Sequence, residues 1–289
     1  MSLPPPPPPQ PTSAASAVCY RHPGREAGRR CTRCGKPACG ECLVQAAVGS
    51  HCVECAKAAR PDVKTRVTFW NARQRAVVTT ALIAVNVAVF VLMVLNTPDT
   101  LMSRGGITKF QFDLGVAEPL IRNGDYYRLI SSGFLHFGLI HIGFNMLLLY
   151  QLGNLLEPTL GRLRFAALYF AALLAGSLGA ILTAPNSLTG GASGAVFGLM
   201  AAAAIGLHRR GVNVFSTGIG TTLLLNLVLT FSLSGISIGG HLGGALAGAA
   251  CGWVMLAPAW KPLPKWAATA APATIAVVSV LAAIVYSRG

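Results

Sequence analysis

Charged residues are scarce in this sequence: they make up 11% of its 289 residues, against about a quarter in an ordinary soluble domain. Acidic residues are the scarcest, with 9 Asp and Glu against 23 Lys and Arg. Hydrophobic residues reach 53%, and the mean hydropathy is +0.57. The composition therefore argues against a soluble domain and is typical of an integral membrane protein.

We also expect no signal peptide, since the sequence does not open with a basic segment followed by an apolar one. A run of six prolines instead predicts a disordered or extended Pro-rich tail. A Cys-rich module, a basic linker and a strongly apolar part follow. We therefore predict a tail over 1–18, a metal-binding module over 19–56, a linker over 57–75, a six-helix core over 76–257 and a seventh helix within 258–289.

Seven apolar runs follow the linker and predict an all-α membrane protein. They cover 76–95, 139–157, 165–184, 193–207, 214–233, 238–257 and 266–286. Basic residues occupy alternate loops, whereas the loops 185–192 and 234–237 carry no charge. By the positive-inside rule, we expect a cytoplasmic N-terminus and an external C-terminus in a bacterial plasma membrane. The basic residues behind the net charge of +14 then set this orientation or contact the anionic inner leaflet of a lipid bilayer, and we expect no nucleic-acid partner.

Polar side chains are rare in the predicted helices, and such residues are candidates for function because their burial in a bilayer is costly. His141 and Asn145 share one face of the second helix, Ser193 begins the fourth and His241 lies in the sixth. Each of these helices is predicted to start at the outer face. The four side chains are therefore expected at similar depth, near that face.

The near absence of Asp, Glu and Lys from the predicted spans excludes several kinds of catalytic site. No Asp or Glu lies in a predicted span except Glu157 at an inner end, so a Ser-His-Asp triad is disfavoured. No Lys lies in a span, and no H-E-x-x-H metal motif occurs. A dyad of Ser193 and His241 remains, because a serine becomes nucleophilic beside a base.

Glycines at four-residue spacing support this pairing. They are Gly194 and Gly198 in the fourth helix and Gly240, Gly244 and Gly248 in the sixth. Such small-residue faces let two helices approach closely. We expect this approach to bring His241 within hydrogen-bond reach of Ser193.

Five motifs occur in the apolar part of the chain: YYRL (126–129), FLHF (134–137), HIGFN (141–145), GASG (191–194) and HLGGALAG (241–248). Together they resemble the motifs of rhomboid intramembrane serine proteases. The resemblance covers about residues 76–257 and implies a six-helix core. The seventh helix is similar to that of rhomboid variants with one additional span.

The resemblance implies that Ser193 is the nucleophile and His241 the general base, acting through an acyl-enzyme. It also implies an oxyanion site formed by Asn145, His141 and the Ser193 backbone N–H. Phe197 stands where the family often has a tyrosine packed on the histidine. No catalytic cofactor is implied, and the substrates are single-span or polytopic membrane proteins cut near the outer face. Structural roles are expected for Arg128, Glu157, Gly191, Gly194, Gly244 and Gly248.

Four pairs of candidate metal ligands lie in the N-terminal module, each with the two-residue spacing typical of zinc sites. Their order resembles that of a B-box-like or other cross-brace zinc finger with two structural Zn²⁺ ions. One site would use Cys19, His22, Cys39 and Cys42, and the other Cys31, Cys34, Cys52 and Cys55. His51 stays an alternative to Cys52. We expect a structural role or a cytoplasmic protein partner for this module.

Two other functions are compatible with a polytopic membrane protein. A non-catalytic rhomboid-like protein that binds membrane clients should lack the serine or the histidine, and this chain has both. A transporter should place charged groups or broken helices near the bilayer midplane. The polar residues found here are predicted towards the outer ends instead.

Overall fold

The computed structural model describes residues 17–46, 48–58, 76–102, 106–232 and 235–289. The chain divides into two compact units, Met1–Trp70 and Asn71–Gly289. The predicted Pro-rich tail up to residue 16 and the predicted basic linker over residues 59–75 lie outside the described residues.

The first unit is built from two short antiparallel hairpins and one helical turn and a half. Strands β1 (Arg29–Arg30) and β2 (Pro37–Ala38) form one hairpin, and β3 (Leu43–Gln45) and β4 (Ser50–Cys52) form the other. Helix α1 (Val53–Ala58) follows directly. Each hairpin therefore places Cys residues near its turn or at its strand ends, where two of them can approach a second pair.

The second unit is helical. Its elements are α2 (Val77–Asn96), α3 (Lys109–Leu114), α4 (Glu118–Arg122), α5 (Arg128–Ser131), α6 (Leu139–Leu160), α7 (Arg162–Thr183), α8 (Ser193–His208), α9 (Ile219–Ser232), α10 (Ile238–Met255) and α11 (Ala267–Arg288). Each of the seven apolar runs overlaps one of the longer helices. The predicted all-α fold with a C-terminal apolar helix is confirmed.

The helices are less uniform in length than the seven predicted spans. Within the described ranges, four helices are long and apolar enough to cross a membrane: α2, α6, α7 and α11. Helices α8 and α9 have only 16 and 14 residues. The fifth run is shorter than predicted because Val214–Thr217 forms a separate 3-10 turn, and Gly218 with φ +77° ends that turn before α9 begins.

Helix α10 lies between α7 and α8 and contacts both. Gly239 and Gly243 face α7, where an added Cβ would overlap the carbonyls of Gly179 and Ala175. Gly244 faces α8, where an added Cβ would overlap the carbonyl of Gly194. The three helices therefore touch backbone to backbone, which only glycine permits.

The two ends of the helical unit are joined by different polar contacts. At one end, Glu157 near the end of α6 accepts hydrogen bonds from the backbone N–H groups of Val78 and Thr79, at 2.9 and 2.8 Å. The carboxylate thereby satisfies unpaired donors at the start of α2. At the other end, Arg122 Nε donates to the carbonyl of Ser287 at 3.1 Å, which ties α4 to the end of α11.

Candidate active site

Gly191 marks the point where the chain enters α8, whose first residue is Ser193. Its φ of +137° is a conformation that other residues rarely adopt. A Cβ on Gly191 would lie 2.9 Å from Nε2 of His141 and 3.6 Å from the hydroxyl oxygen of Ser193. The space over Gly191 is therefore bordered by the serine hydroxyl and the histidine ring, and a side chain would fill it.

The hydrogen bonds of His141 decide which of its ring nitrogens carries the proton. The backbone N–H of Phe137 donates to His141 Nδ1 at 3.2 Å. In the neutral ring, Nδ1 is then the acceptor and Nε2 carries the hydrogen. Because Nε2 borders the space over Gly191 together with Cε1, His141 presents a hydrogen-bond donor beside Ser193.

Asn145 is 6% exposed and follows His141 by one turn of α6. Its side-chain N–H donates to the carbonyl of His141 at 2.9 Å. An amide nitrogen has two N–H groups, so one donor is left for another partner. The two predicted oxyanion residues are thus connected, and these bonds leave one further donor on each of them.

His241 is 8% exposed on α10 and stacks on Phe197 of α8, with ring centroids 4.1 Å apart and planes at 19°. Its Nδ1 lies 2.7 Å from the hydroxyl oxygen of Thr230, near the end of α9. The ring is therefore held between an aromatic face and a hydroxyl. This leaves Nε2 as the nitrogen available to another group.

One predicted contact is not formed. Within the part of the chain that the structure describes, no hydrogen bond joins Ser193 Oγ to His241. The ring of His241 is instead oriented by Thr230 and Phe197. Catalytic hydrogen bonds are often long before substrate binds, and they shorten in the complex.

Arg128 lies at the start of α5 and is 4% exposed. Its Nε donates to Asp125 at 2.9 Å, and another guanidinium nitrogen donates to the carbonyl of Gly115 at 3.1 Å. The same nitrogen also donates to the carbonyl of Phe112. The side chain therefore joins the ends of α3 and the start of α5, which is the arrangement expected of a structural anchor.

The eight predicted metal ligands form two groups in the first unit. Within each group the ligand atoms lie within 4.8 Å of one another. His51 is in neither group; it pairs with Val44 across the β3–β4 hairpin, while Cys52 belongs to a group. Both groups can hold a metal ion, and four thiolate and imidazole ligands are the set that tetrahedral zinc prefers. The groups are Cys19, His22, Cys39 and Cys42, and Cys31, Cys34, Cys52 and Cys55.

In each group, the pKa of one cysteine thiol is lowered and the pKa of another is raised. Burial raises the pKa of the Cys19 thiol, but backbone N–H donors, that of Cys39 first, lower it to about 6. A backbone hydrogen bond from Cys52 lowers the pKa of Cys31 to about 6. Burial raises the pKa of Cys42 to about 11, and hydrogen bonds with Cys34 and Cys52 raise that of Cys55 to about 12. Metal binding near neutral pH must therefore release protons, so affinity rises with pH.

Two groups that contribute to the site were not predicted from the sequence. Thr230 belongs to an apolar run in which a threonine is an ordinary residue, and the Phe137 N–H is a backbone group that no side-chain pattern reveals. The signal available for Thr230 was its position one turn after Asn226, on the same face of α9. That spacing alone does not indicate a histidine partner.

Residues 123–258 match the sequence model of the rhomboid domain. This part of the chain is therefore similar to rhomboid domains. The match includes Arg128, His141, Ser193 and His241, and it ends three residues after α10. The five motifs from which the resemblance was inferred all lie inside it.

Curated relatives of the rhomboid domain come from distant organisms. The chain is 33% identical over 126 residues to "Rhomboid protease GluP" of Bacillus subtilis, covering 43% of this chain and 25% of that protein. It is 35% identical over 166 residues to "Rhomboid-like protease 1" of Toxoplasma gondii, covering 53% and 56%. It is 32% identical over 123 residues to "Putative rhomboid protease YdcA" of Bacillus subtilis, covering 42% and 58%. The chain thus spans between about a quarter and three fifths of these relatives.

Proposed function

We propose that the protein is an intramembrane serine endopeptidase that cleaves transmembrane helices of membrane-protein substrates. The observation that carries this proposal is the space over Gly191, with the Ser193 hydroxyl on one side and the Nε2–H of His141 on the other. A scissile carbonyl placed there has a nucleophile and an oxyanion donor within reach. The names of the relatives, three of which are called proteases, support the same reaction.

The reaction proceeds in two stages. Ser193 Oγ attacks the peptide carbonyl carbon while its proton passes to Nε2 of His241, which is the unbonded nitrogen of that ring. The developing oxyanion accepts hydrogen bonds from His141, Asn145 and the Ser193 backbone N–H. His241 then returns its proton to the leaving amine, which yields an acyl-enzyme. Water, deprotonated by the same histidine, hydrolyses the ester and frees Ser193.

The proposed topology places the site near the outer membrane face. Helices α6, α8 and α10 all begin at the end of the unit that holds the site, and the basic loop residues lie at the opposite ends of these helices. Positive loops favour the cytoplasm, so the N-terminus is cytoplasmic and the C-terminus external. The substrate helix must unwind locally before attack, because its backbone carbonyls are otherwise hydrogen-bonded.

The N-terminal unit holds two structural Zn²⁺ ions in this proposal and serves as a docking module for a cytoplasmic protein. Support comes from the two four-ligand groups and from the small interior that surrounds them. Catalysis itself needs no metal, since nucleophile, base and oxyanion donors are all side chains or backbone groups of the second unit.

The test is cleavage of a labelled single-span substrate by the full chain in proteoliposomes. Ser193→Ala and His241→Ala should abolish cleavage and the labelling of the protein by a fluorophosphonate, which reacts with activated serines. Gly191→Ala should lower the rate at least about 100-fold, because its Cβ would displace His141, an oxyanion donor. Matched controls are Ser187→Ala and His208→Ala, which alter exposed residues of the same types.

The outcomes separate the two remaining functions. Cleavage and labelling that disappear only in the site variants establish the protease. Equal behaviour of wild type and Ser193→Ala, with all proteins folded, would refute it. In that case, retained binding of the single-span substrate would favour the client-binding function.

A further inference from the structure

Thr230 makes two hydrogen bonds with its single hydroxyl group. Its oxygen lies 2.7 Å from the carbonyl oxygen of Asn226, one turn earlier in α9, and 2.7 Å from Nδ1 of His241 in α10. A carbonyl oxygen has no proton, so the short contact with Asn226 requires the hydroxyl proton of Thr230. The hydroxyl has then no proton left to give to His241.

The proton between Thr230 and His241 must therefore belong to the histidine. Nδ1 of the neutral ring carries the hydrogen and donates it to Thr230 Oγ1, and Nε2 keeps its lone pair. This is the tautomer that a general base needs when Nε2 faces the nucleophile. His141 is held in the opposite tautomer by the Phe137 N–H, so one histidine can accept a proton and the other can donate a hydrogen bond.

The ordinary interpretation of a threonine in a membrane helix is a back-bond to its own helix, and the contact with Asn226 is such a bond. Two observations go beyond it. Thr230 is 1% exposed, although the other described residues of α9, apart from Gly220, are half-buried or exposed. Its second contact reaches another helix and ends on a side chain of the candidate site.

We propose that Thr230 is a positioning residue for His241: by accepting a hydrogen bond from Nδ1–H, it keeps Nε2 unprotonated and directed away from α9. The inference rests on the proposed function for its catalytic meaning, but the tautomer itself does not depend on any activity. Thr230 touches no substrate, so its effect on the reaction passes entirely through His241. Phe197 fixes the plane of the same ring from the other side.

The first experiment measures the tautomer. The full chain, labelled with ¹⁵N at its 6 histidines, is studied in detergent micelles at a pH where the ring is neutral, and His241→Ala assigns the signals. We expect Nδ1 of His241 to give the signal of a protonated nitrogen and Nε2 that of an unprotonated one. In Thr230→Val, which removes the acceptor, the two tautomers should mix. A protonated Nε2 in the wild type would overturn the proposal without any variant.

The second experiment measures the consequence for the reaction. Thr230→Val should lower kcat and the rate of Ser193 labelling by a fluorophosphonate about 10- to 100-fold with KM unchanged, the range found when metal-binding histidines lose the partner that orients them. Thr230→Ser keeps the hydroxyl. Its kcat and labelling rate should stay within about threefold of the wild-type values, which corresponds to about 0.65 kcal/mol in the activation free energy. Thr221→Val is the matched control, because Thr221 is exposed on the same helix.

Failure of this inference differs from failure of the proposed function. If the wild type labels Ser193 while Thr230→Val labels equally fast and keeps unaltered nitrogen signals, the positioning role is wrong and the protease proposal stands. If Thr230→Ser is as slow as Thr230→Val, the hydroxyl is not the cause and the role is wrong. If Ser193 is never labelled, the protease proposal fails, and the nitrogen signals still decide how Thr230 holds His241.

Discussion

The two units of the chain bury different types of residue in their interiors. In the described residues of the first unit, the buried apolar cluster consists of Cys19, Ala38, Cys39 and Cys42, three of which are candidate metal ligands. The helical unit buries a continuous cluster of Leu, Ala, Phe and Met residues and adds glycine faces at which backbones touch. We therefore expect the first unit to depend on bonds to an ion and the second on close packing. Stability should respond to different treatments in the two units.

Metal removal should have the largest effect and should divide the molecule along this line. Structural zinc contributes about 10–16 kcal/mol of apparent binding free energy in small zinc modules, which exceeds what four buried residues can replace. A chelator should therefore unfold the first unit, measured by amide hydrogen exchange over residues 17–58. The helical unit should keep its protection and its cleavage of a single-span substrate. Simultaneous loss of protection in both units would contradict the comparison.

A methyl group at the α8–α10 contact should have the next largest effect, this time on the helical unit alone. A Cβ at Gly248 would overlap backbone atoms of Gly198, which cannot rotate away. Gly248→Ala should lower stability by about 1–3 kcal/mol, the usual cost of overpacking. Gly143→Ala is the matched control: nothing lies within 4 Å of its added Cβ, and removing a helical glycine should stabilise by about 0.5–1 kcal/mol. Thermal unfolding of the purified variants measures both, and equal shifts would refute the packing argument.

Exposed ion pairs should have the smallest effect and should not distinguish the units. Lys36 and Glu54 form such a pair in the first unit, and Lys109 and Asp113 form one in the second, with most of these side chains about half exposed or more. Solvent screens both pairs, so neutralising either should change the free energy of unfolding by less than about 1 kcal/mol. The variants Glu54→Gln and Asp113→Asn, compared at low and high salt, provide the measurement. A larger change in one unit would show that its surface charges matter to its fold.

Sequence patterns predicted most elements of the helical unit because hydrophobic length and loop charge are local properties. The predicted run 193–207 and helix Ser193–His208 nearly coincide, and the runs 76–95 and 238–257 differ from their helices by one or two residues. The fifth run was wrong at its start, since Val214–Thr217 forms a separate 3-10 turn that Gly218 ends before α9 begins. Hydropathy does not register such a turn.

The candidate site was predictable where a motif names the side chain and unpredictable where a backbone group or a neighbouring helix takes part. The spacing of Gly244 and Gly248 indicated a close helix contact, but not that Gly239 and Gly243 form a second one with α7. The expected bond between Ser193 and His241 is not formed in the described residues, where the ring of His241 contacts Thr230 and Phe197. Two-residue ligand pairs predicted the metal groups well, since short loops fix which atoms can converge.

The sequence was sufficient to predict a helical membrane protein with a ligand-rich module before it, because composition, spacing and charge depend only on which residues follow one another. It also determined which side chains are available for chemistry. The tertiary structure then sets which ring nitrogen of each candidate site histidine carries the proton. The proton positions on His141 and His241 depend on a backbone N–H and a hydroxyl that lie 4 and 11 residues away along the chain but within 3.2 and 2.7 Å in space. A hydrogen bond is set by such distances, and folding is what brings the partners together.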